Sequence, residues 1–239
     1  MINFASIKFN LLSRSDIIKD HVETLFVVTA NSEIIVKYNE EIFFQNLLTK
    51  ASFTFDGQIP FVLAKILNPK AKIEKISGSD LVYDICELAN RSKRKIFLLG
   101  GLEESNFLSQ QKIKKLYPNL EISGFSPTFS PYPFSEELNE LINQKIKLFS
   151  PDYLFVGFGA GKQENWISDN LDLLKHLNVQ VAVGSGGTFE FVSGKIKRAP
   201  KLIQKIGLEG VFRLLVEPNF FRFRRIIKSF KIFYYAFKN

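Results

Sequence analysis

The chain has 239 residues, of which 46% are apolar, 23% charged and 14% aromatic. This composition excludes wholesale disorder, and the length predicts one folded domain, or one domain with an appendage. The single cysteine, Cys86, excludes an internal disulfide bond and a cysteine-based metal cluster. No run of about 18 uncharged apolar residues predicts a membrane-spanning helix. Since the amino terminus lacks the apolar segment of a signal peptide, we expect a cytoplasmic protein that can still lie on a membrane.

The net charge of +8 is concentrated at the carboxyl end. Residues 194–239 contain twelve Lys or Arg and two acidic residues, whereas the preceding part is almost neutral. Such a basic block attracts phosphates on lipid headgroups, nucleotides or nucleic acids. A solvated lysine-rich tail is the simpler interpretation, but interleaved aromatic residues are unusual for one.

Short apolar runs alternate with longer helical patterns along the chain, which predicts βα units and an α/β fold with a mostly parallel sheet. The predicted strands are 24–29, 52–55, 95–99, 120–123, 153–157 and 180–184. The predicted helices are 33–49, 59–67, 79–91, 105–117, 135–149 and 163–177. Residues 124–133 contain three prolines and predict a loop that can act as a lid beside a site.

Polar or glycine-rich turns follow five of the predicted strands. Asn31 and Asp56 come shortly after the first two strands, and glycine-rich turns follow three later ones at 100–101, 159–161 and 184–187. Turns of α/β proteins favour glycine in general, but ligands bind at the carboxyl ends of parallel strands, where glycines let backbone amides approach a phosphate. The pattern therefore favours a nucleotide-type ligand. None of the turns is a dinucleotide fingerprint or a P-loop.

The order of these segments resembles the WecG/TagA/CpsF glycosyltransferases from about residue 27 to 225. The matching segments are Thr29-Ala30-Asn31, Asp56-Gly57, Lys75-Ile76-Ser77-Gly78-Ser79-Asp80, Phe97-Leu98-Leu99-Gly100-Gly101, Val156-Gly157-Phe158-Gly159-Ala160-Gly161-Lys162-Gln163-Glu164, Trp166-Ile167, Gly186-Gly187-Thr188-Phe189-Glu190, Arg198-Ala199-Pro200, Gly207-Leu208-Glu209, Arg213 and Glu217-Pro218. Each segment alone is a weak signal, and their order and spacing together are specific.

The resemblance implies a Rossmann-like core over residues 1–200 and a basic helical appendage over residues 201–239 that meets the membrane. It implies inverting, metal-independent transfer of an N-acetylmannosamine-type or related sugar from a UDP-sugar to a polyprenyl-diphosphate-linked acceptor, in cell-surface polysaccharide synthesis. The expected location is the inner face of the cell membrane, at an anionic surface. No cofactor and no nucleic-acid partner are expected, and a homo-oligomer is possible. The alternative is a non-catalytic nucleotide- or polyanion-binding protein on the same scaffold.

The resemblance makes Asp56 the catalytic base, with Thr29 and Asn31 orienting hydroxyl groups in the same pocket. From the residues alone, Asp56 before glycine is better interpreted as a turn residue, and Asn31 can equally cap the following helix. Lys162 can meet phosphate charge, and Gln163 can bond a base or sugar through its amide. The expected substrate-binding residues are Lys75, Gly100, Gly101, Gly159, Lys162, Gln163, Glu164, Gly184, Gly186, Gly187, Arg198, Arg213, Arg222 and Arg224.

No metal site is predicted, because no paired histidine or D-x-D motif stands at a strand end. Asp80, Asp84 and Glu87 share a helical spacing that we interpret as a solvated face. The sequence also departs from the usual family pattern, which bears on the donor sugar and on phosphate binding. These departures are Phe55, Lys75, Gly161, Glu190, Gly210, Asn219 and Phe220.

Helical geometry predicts an amphipathic helix over residues 220–239. One arc carries Phe220, Phe223, Ile226, Ile227, Phe230, Phe233, Tyr234 and Phe237, and the opposite side carries Arg224, Arg225, Lys228 and Lys231. Phe221, Ile232 and Tyr235 break this pattern. A basic aromatic helix is typical of an interfacial membrane element, and packing on the domain or on another subunit remains the alternative.

Overall fold

The computed structural model describes residues 1–238, apart from the side chains of Lys201 and Phe221; Asn239, the last residue of the predicted appendage, lies outside the described residues. In chain order the elements are β1 (Ile2–Phe4), β2 (Ile7–Phe9), α1 (Arg14–Ile18), β3 (Leu25–Ala30), α2 (Ser32–Glu40), α3 (Ile42–Leu47), a 3-10 turn (Leu48–Lys50), β4 (Ser52–Phe55), α4 (Gln58–Leu67), α5 (Gly78–Ser92), β5 (Lys95–Gly100), α6 (Glu103–Leu116), β6 (Glu121–Phe125), α7 (Glu136–Phe149), β7 (Tyr153–Gly157), α8 (Lys162–Asp169), α9 (Leu171–His176), β8 (Val181–Gly184), α10 (Thr188–Ser193), α11 (Lys201–Lys205), α12 (Glu209–Val216), α13 (Phe220–Ser229) and α14 (Lys231–Phe237).

Six parallel strands form the central sheet, in the order β4-β3-β8-β7-β5-β6. Successive residues of β3 point to opposite faces, so that Phe26 and Val28 enter one apolar cluster and Val27 enters the other. Helices cover both faces, which explains why the strands are continuous apolar runs. The predicted Rossmann-like α/β fold is confirmed, and each strand bound agrees within two residues.

Two of the predicted helices are interrupted. The helix predicted over 33–49 breaks at Glu41, whose backbone is extended, and the Gln45 side chain donates to the Tyr38 carbonyl beside the break. The helix predicted over 163–177 breaks at Asn170, whose side-chain amide donates to the Trp166 carbonyl. Side chains that bond nearby carbonyls compete with helix continuation.

The sequence prediction missed the antiparallel hairpin of β1 and β2. Its turn residues Ala5 and Ser6 both have positive φ, 48° and 61°, so that the usual glycine or asparagine signal is absent. Phe9 of the hairpin stacks on Phe55 with ring centroids 3.9 Å apart, and Phe4 meets Phe55 edge-on. The hairpin therefore packs on the residue that precedes Asp56.

Replacing Phe9 with Ala is expected to lower the free energy of unfolding by about 3–5 kcal/mol, because the ring is fully buried in this cluster. Urea denaturation measures the loss. Phe43→Ala is the matched control, since that ring is 72% exposed; its cost is expected to stay below about 1 kcal/mol. Equal losses in the two variants would contradict the packing role of the hairpin.

Candidate functional site

A cavity of about 1190 Å³ lies at the carboxyl ends of the parallel strands. Most residues that the sequence assigns to a site line it: Thr29, Asn31, Asp56, Lys75, Gly100, Gly101, Gly159, Lys162, Gln163, Gly186, Gly187, Arg198, Arg213 and Arg222. Three others, Glu164, Gly184 and Arg224, are absent from its lining. Segments far apart in sequence thus meet at one edge of the sheet, where parallel strands place their ligands.

Asp56 follows β4, and its backbone N–H donates to the Ala30 carbonyl across the strand ends. Its side chain makes no hydrogen bond within the described part of the chain. Burial, together with the nearby carboxylates Glu209 and Asp80, raises the pKa of Asp56 to about 7, although Arg198 and Lys75 lower it in part. A carboxyl with a pKa near neutrality is suited to accept a proton in a reaction.

Thr29 and Asn31 extend this wall from the end of β3. The Thr29 hydroxyl donates to the Gly184 carbonyl at 2.9 Å, and so ties the ends of β3 and β8 together. The Asn31 side-chain oxygen accepts from the Ile34 N–H at 3.1 Å and caps α2, as expected. Capping occupies the amide oxygen, so the Asn31 amide nitrogen is left to donate toward the cavity.

The solvated face predicted for Asp80, Asp84 and Glu87 holds for the exposed Glu87 and is wrong for Asp80 and Asp84, whose half-buried carboxylates form ion pairs. Arg198 donates one terminal nitrogen to Asp80 at 2.6 Å and the other to the Ser79 hydroxyl at 2.7 Å, and Arg14 pairs with Asp84. Asp80 lies in the cavity wall. Arg198 therefore reaches the cavity with each terminal nitrogen donating one of its two N–H groups within the protein.

Lys162 connects α8 to the loop that carries Phe129. Its ammonium donates to the Ser130 carbonyl at 2.5 Å and lies 4.2 Å from the centroid of the Phe129 ring. Phe129 is 90% exposed at the cavity. The sequence assigned Lys162 to phosphate charge, whereas its contacts in the structure hold this loop.

Replacing Lys162 with Met is expected to speed amide hydrogen exchange at residues 128–130 roughly tenfold, because one hydrogen bond and one cation–π contact are lost. Exchange mass spectrometry measures the change. Lys175→Met, which breaks a surface ion pair with Glu23, is the control and should leave the loop unchanged. Unaltered exchange in the Lys162 variant would refute the tethering role.

Three arginines of residues 201–238, Arg213, Arg222 and Arg225, also line the cavity. Arg213 lies 4.4 Å from the Phe191 ring centroid, and within the described residues it has no ion pair. Burial lowers the pKa of Arg213, and the neighbouring Arg222 and Arg225 lower it further, while Glu209 opposes them. A group of guanidinium ions held close together is a place where a bound anion relieves repulsion.

The sequence prediction chose Arg224 and missed Arg225. Arg225 lines the cavity, whereas Arg224 is exposed beside the Phe220 ring. Helical spacing could have found it, because residues three apart, such as Arg222 and Arg225, share a face and residues two apart do not. Among residues 1–238, no group of three His, Cys, Asp or Glu side chains is placed to hold a metal ion.

The carboxyl-terminal helix is divided at Phe230 into α13 and α14. Ile232 and Ala236 of α14 are buried against the core, and the basic side makes ion pairs with α2: Arg225 with Glu33, and Lys228 and Lys231 with Glu40. Most of the predicted aromatic arc remains exposed, namely Phe220, Phe223, Ile227, Phe230, Phe233, Tyr234 and Phe237. Within the described part, no helix has the length and apolar character to cross a bilayer.

Comparison with known proteins gives consistent matches. The model of the glycosyl transferase WecG/TagA/CpsF family matches residues 2–239. A Staphylococcus aureus strain MRSA252 protein named N-acetylglucosaminyldiphosphoundecaprenol N-acetyl-beta-D-mannosaminyltransferase is 30% identical over 213 residues, covering 88% of this chain and 78% of the relative. Proteins of the same name from strains NCTC 8325 / PS 47 and COL match with the same identity and coverage.

Proposed function

The chain belongs to the WecG/TagA/CpsF family of glycosyl transferases, and we propose that it transfers an N-acetylmannosamine-type or related hexose from a UDP-sugar to a sugar on a polyprenyl diphosphate. The names of its relatives support this acceptor class and sugar. The observation that carries the proposal is the single cavity in which Asp56 and the arginines of the appendage meet. The product would enter a cell-surface polysaccharide.

Asp56 acts as the general base. Its carboxylate removes the proton from the acceptor hydroxyl, whose oxygen forms a bond to the anomeric carbon of the donor. The bond from that carbon to the β-phosphate oxygen breaks, and UDP leaves with the electron pair. Thr29 and Asn31 lie at the neighbouring strand end and orient the hydroxyl groups. A single displacement of this kind inverts the anomeric configuration.

The departing UDP gains negative charge, which Arg213, Arg222 and Arg225 stabilise. Arg213 is placed for this role, since its terminal nitrogen lies 3.6 Å from the point where a Cβ on Gly187 would stand. The turn at Gly186 and Gly187 and the Arg213 guanidinium therefore face the same space. We propose that these cations do the work that a divalent ion does in other transferases, and that transfer proceeds in a chelator.

The exposed aromatic arc of the appendage is the proposed membrane contact, on the inner face of the cell membrane. An acceptor on a polyprenyl chain is anchored in lipid, so the cavity must open near the bilayer. Exposed Arg224 and Lys238 lie beside aromatic rings of the arc and favour an anionic surface. The alternative is that the arc binds a second copy of the chain. Light scattering of the purified protein would detect such a dimer.

The test is transfer by the purified protein from a panel of UDP-sugars to a short-chain lipid diphosphate bearing N-acetylglucosamine, followed by mass spectrometry. The expected result is a disaccharide product formed in EDTA, with an anomeric configuration opposite to that of the donor by NMR. UDP binding without product from any donor would support the binding-protein alternative. Product formed only with added divalent ions would contradict the proposed role of the arginines.

A further inference from the structure

Gln163 and Glu164 form a buried hydrogen-bonded unit at the start of α8. Glu164 is fully buried, and its carboxylate accepts from the Gly161 N–H at 2.6 Å and from the Gln163 amide nitrogen at 2.7 Å. The Gln163 amide oxygen in turn accepts from the Gly186 N–H at 2.9 Å. One continuous set of bonds thus links the glycine turn before α8 to the turn after β8.

These partners allow only one orientation of the Gln163 amide. An ionised carboxylate can only accept, and the Gly186 backbone N–H can only donate whatever the protonation state of Glu164. Turning the amide over would place its oxygen against the Glu164 carboxylate and its nitrogen against the Gly186 N–H. Both hydrogen bonds would be lost in a buried site, one of them to a charged group, which makes the reversed orientation costly.

The fixed amide leaves one group for a ligand. Gln163 lines the cavity, and its second amide hydrogen has no partner among the residues that the structure describes. The cavity therefore meets a hydrogen-bond donor at this point. A ligand atom that pairs with it must be an acceptor: a phosphoryl, carbonyl or hydroxyl oxygen.

The position of this donor points to the nucleotide sugar. Gln163 is bonded to Gly186, and the adjacent Gly187 lies under Arg213. The Gln163 side chain thus lies beside the glycine turn that faces the space where we place the departing diphosphate. Glu164 and Gln163 also explain why residue 184 is a glycine. A Cβ at this position would stand 3.0 Å from the Glu164 carboxylate and 3.1 Å from the Gln163 nitrogen.

We propose that Glu164 is a positioning residue, whose carboxylate fixes the Gln163 amide so that it donates to an oxygen of the bound UDP-sugar. This assignment rests on the proposed function, since it requires a nucleotide sugar in the cavity. It replaces the direct substrate contact expected for Glu164 from the sequence. Gln163 keeps a ligand contact, restricted to donation.

Glu164→Gln is the first test. The Gly161 N–H holds the new amide oxygen, so the new NH2 group faces Gln163 and turns its amide over. We expect the KM for the UDP-sugar to rise about 10- to 50-fold with kcat changed less than threefold, because binding common to ground and transition states is lost. Ser109→Ala is the control, since that buried hydroxyl bonds the Phe189 carbonyl away from the cavity lining; it should leave the KM unchanged.

The exchanged double variant, Gln163→Glu with Glu164→Gln, separates positioning from simple stability. Its carboxylate at 163 accepts from both Gly186 and the new amide at 164, so the internal bonds and the thermal midpoint should be restored. It offers the ligand no N–H, so the KM for the donor should stay high. Recovery of the KM in the double variant, or an unchanged KM in Glu164→Gln, would overturn the proposal.

A measurement without ligand tests the fixed Gln163 amide independently of the proposed function. In the unaltered protein, NMR should show one slowly exchanging Gln163 side-chain N–H, and Glu164→Gln should lose it. Rapid exchange in the unaltered protein would refute the locked amide whatever the enzyme transfers. A slow N–H together with no turnover of any UDP-sugar would instead count against the proposed function alone.

Discussion

Replacing Asp56 with Asn is expected to lower kcat for sugar transfer about 1000-fold. The amide has the size of the carboxyl but cannot take the proton of the acceptor hydroxyl, and general bases contribute roughly 10²- to 10⁴-fold. Steady-state kinetics measure the loss, and calorimetric titration with UDP should give a dissociation constant within threefold of the unaltered protein. Weakened UDP binding in proportion to the lost rate would contradict a role as base.

The raised pKa of Asp56 predicts how the rate depends on pH. Because burial brings this pKa to about 7, kcat/KM should rise tenfold per pH unit below pH 7 and level off above it. The residual activity of Asp56→Asn should lack this limb. A limb that persists in the variant would assign the titration to another group.

The same pKa predicts a gain in stability when Asp56 is replaced. The folded pKa of about 7 lies above the unfolded value of 3.8, so the native state holds a proton that the unfolded state has released between about pH 4 and 7. Stability therefore falls as pH rises through this window. At pH 8 the free energy of unfolding of Asp56→Asn should be about 1–3 kcal/mol higher than that of the unaltered protein. Below pH 4 the two proteins should be equally stable.

The control is Asp172→Asn, which removes the same charge from an exposed position on α9. It should show no gain at pH 8. The pKa of the buried Glu164 carboxyl is also raised to about 7, mainly by burial, so the unaltered protein and Asp56→Asn should both retain some pH dependence. Equal stability of Asp56→Asn and the unaltered protein at pH 8 would contradict the burial of this carboxyl.

The sheet and the location of the cavity followed from local sequence, whereas the pairing of charged side chains did not. Apolar runs identify the parallel strands directly. Because the carboxyl ends of parallel strands lie at one edge of the sheet, the sequence predicted that Asn31 and Asp56 lie near each other. Partners of long side chains depend on distant segments. Lys162 bonds to Ser130 and Arg198 to Asp80, 32 and 118 positions away, and no local pattern encodes either contact.

The carboxyl-terminal helix shows the same limit. Helical geometry identified the aromatic arc, but the side of a helix that docks depends on the surface it meets. Here Glu33 and Glu40 of α2 pair with its basic side, and the pattern-breaking Ile232 enters the core. The aromatic arc is therefore exposed. Local periodicity alone could not decide which side of the helix faces solvent.

Ending the chain at Asn219 is expected to reduce both transfer and vesicle binding. Transfer to a water-soluble short-chain acceptor should fall about 100-fold, because removal of Arg222 and Arg225 leaves less positive charge for the departing UDP. Binding to anionic vesicles should weaken at least tenfold, because the exposed aromatic rings are lost. Sedimentation with vesicles and steady-state kinetics measure the two effects separately.

Two full-length variants should divide these effects between the two faces of the appendage. Serine at Phe220, Phe230 and Tyr234 removes exposed rings while leaving the ion pairs with α2, so vesicle binding should fall and transfer to the soluble acceptor should persist. Alanine at Arg213 and Arg222 should do the reverse, with transfer about 100-fold slower and vesicle binding retained. Parallel loss of both activities in both variants would mean that the appendage acts as one structural unit, because two independent faces would be affected separately.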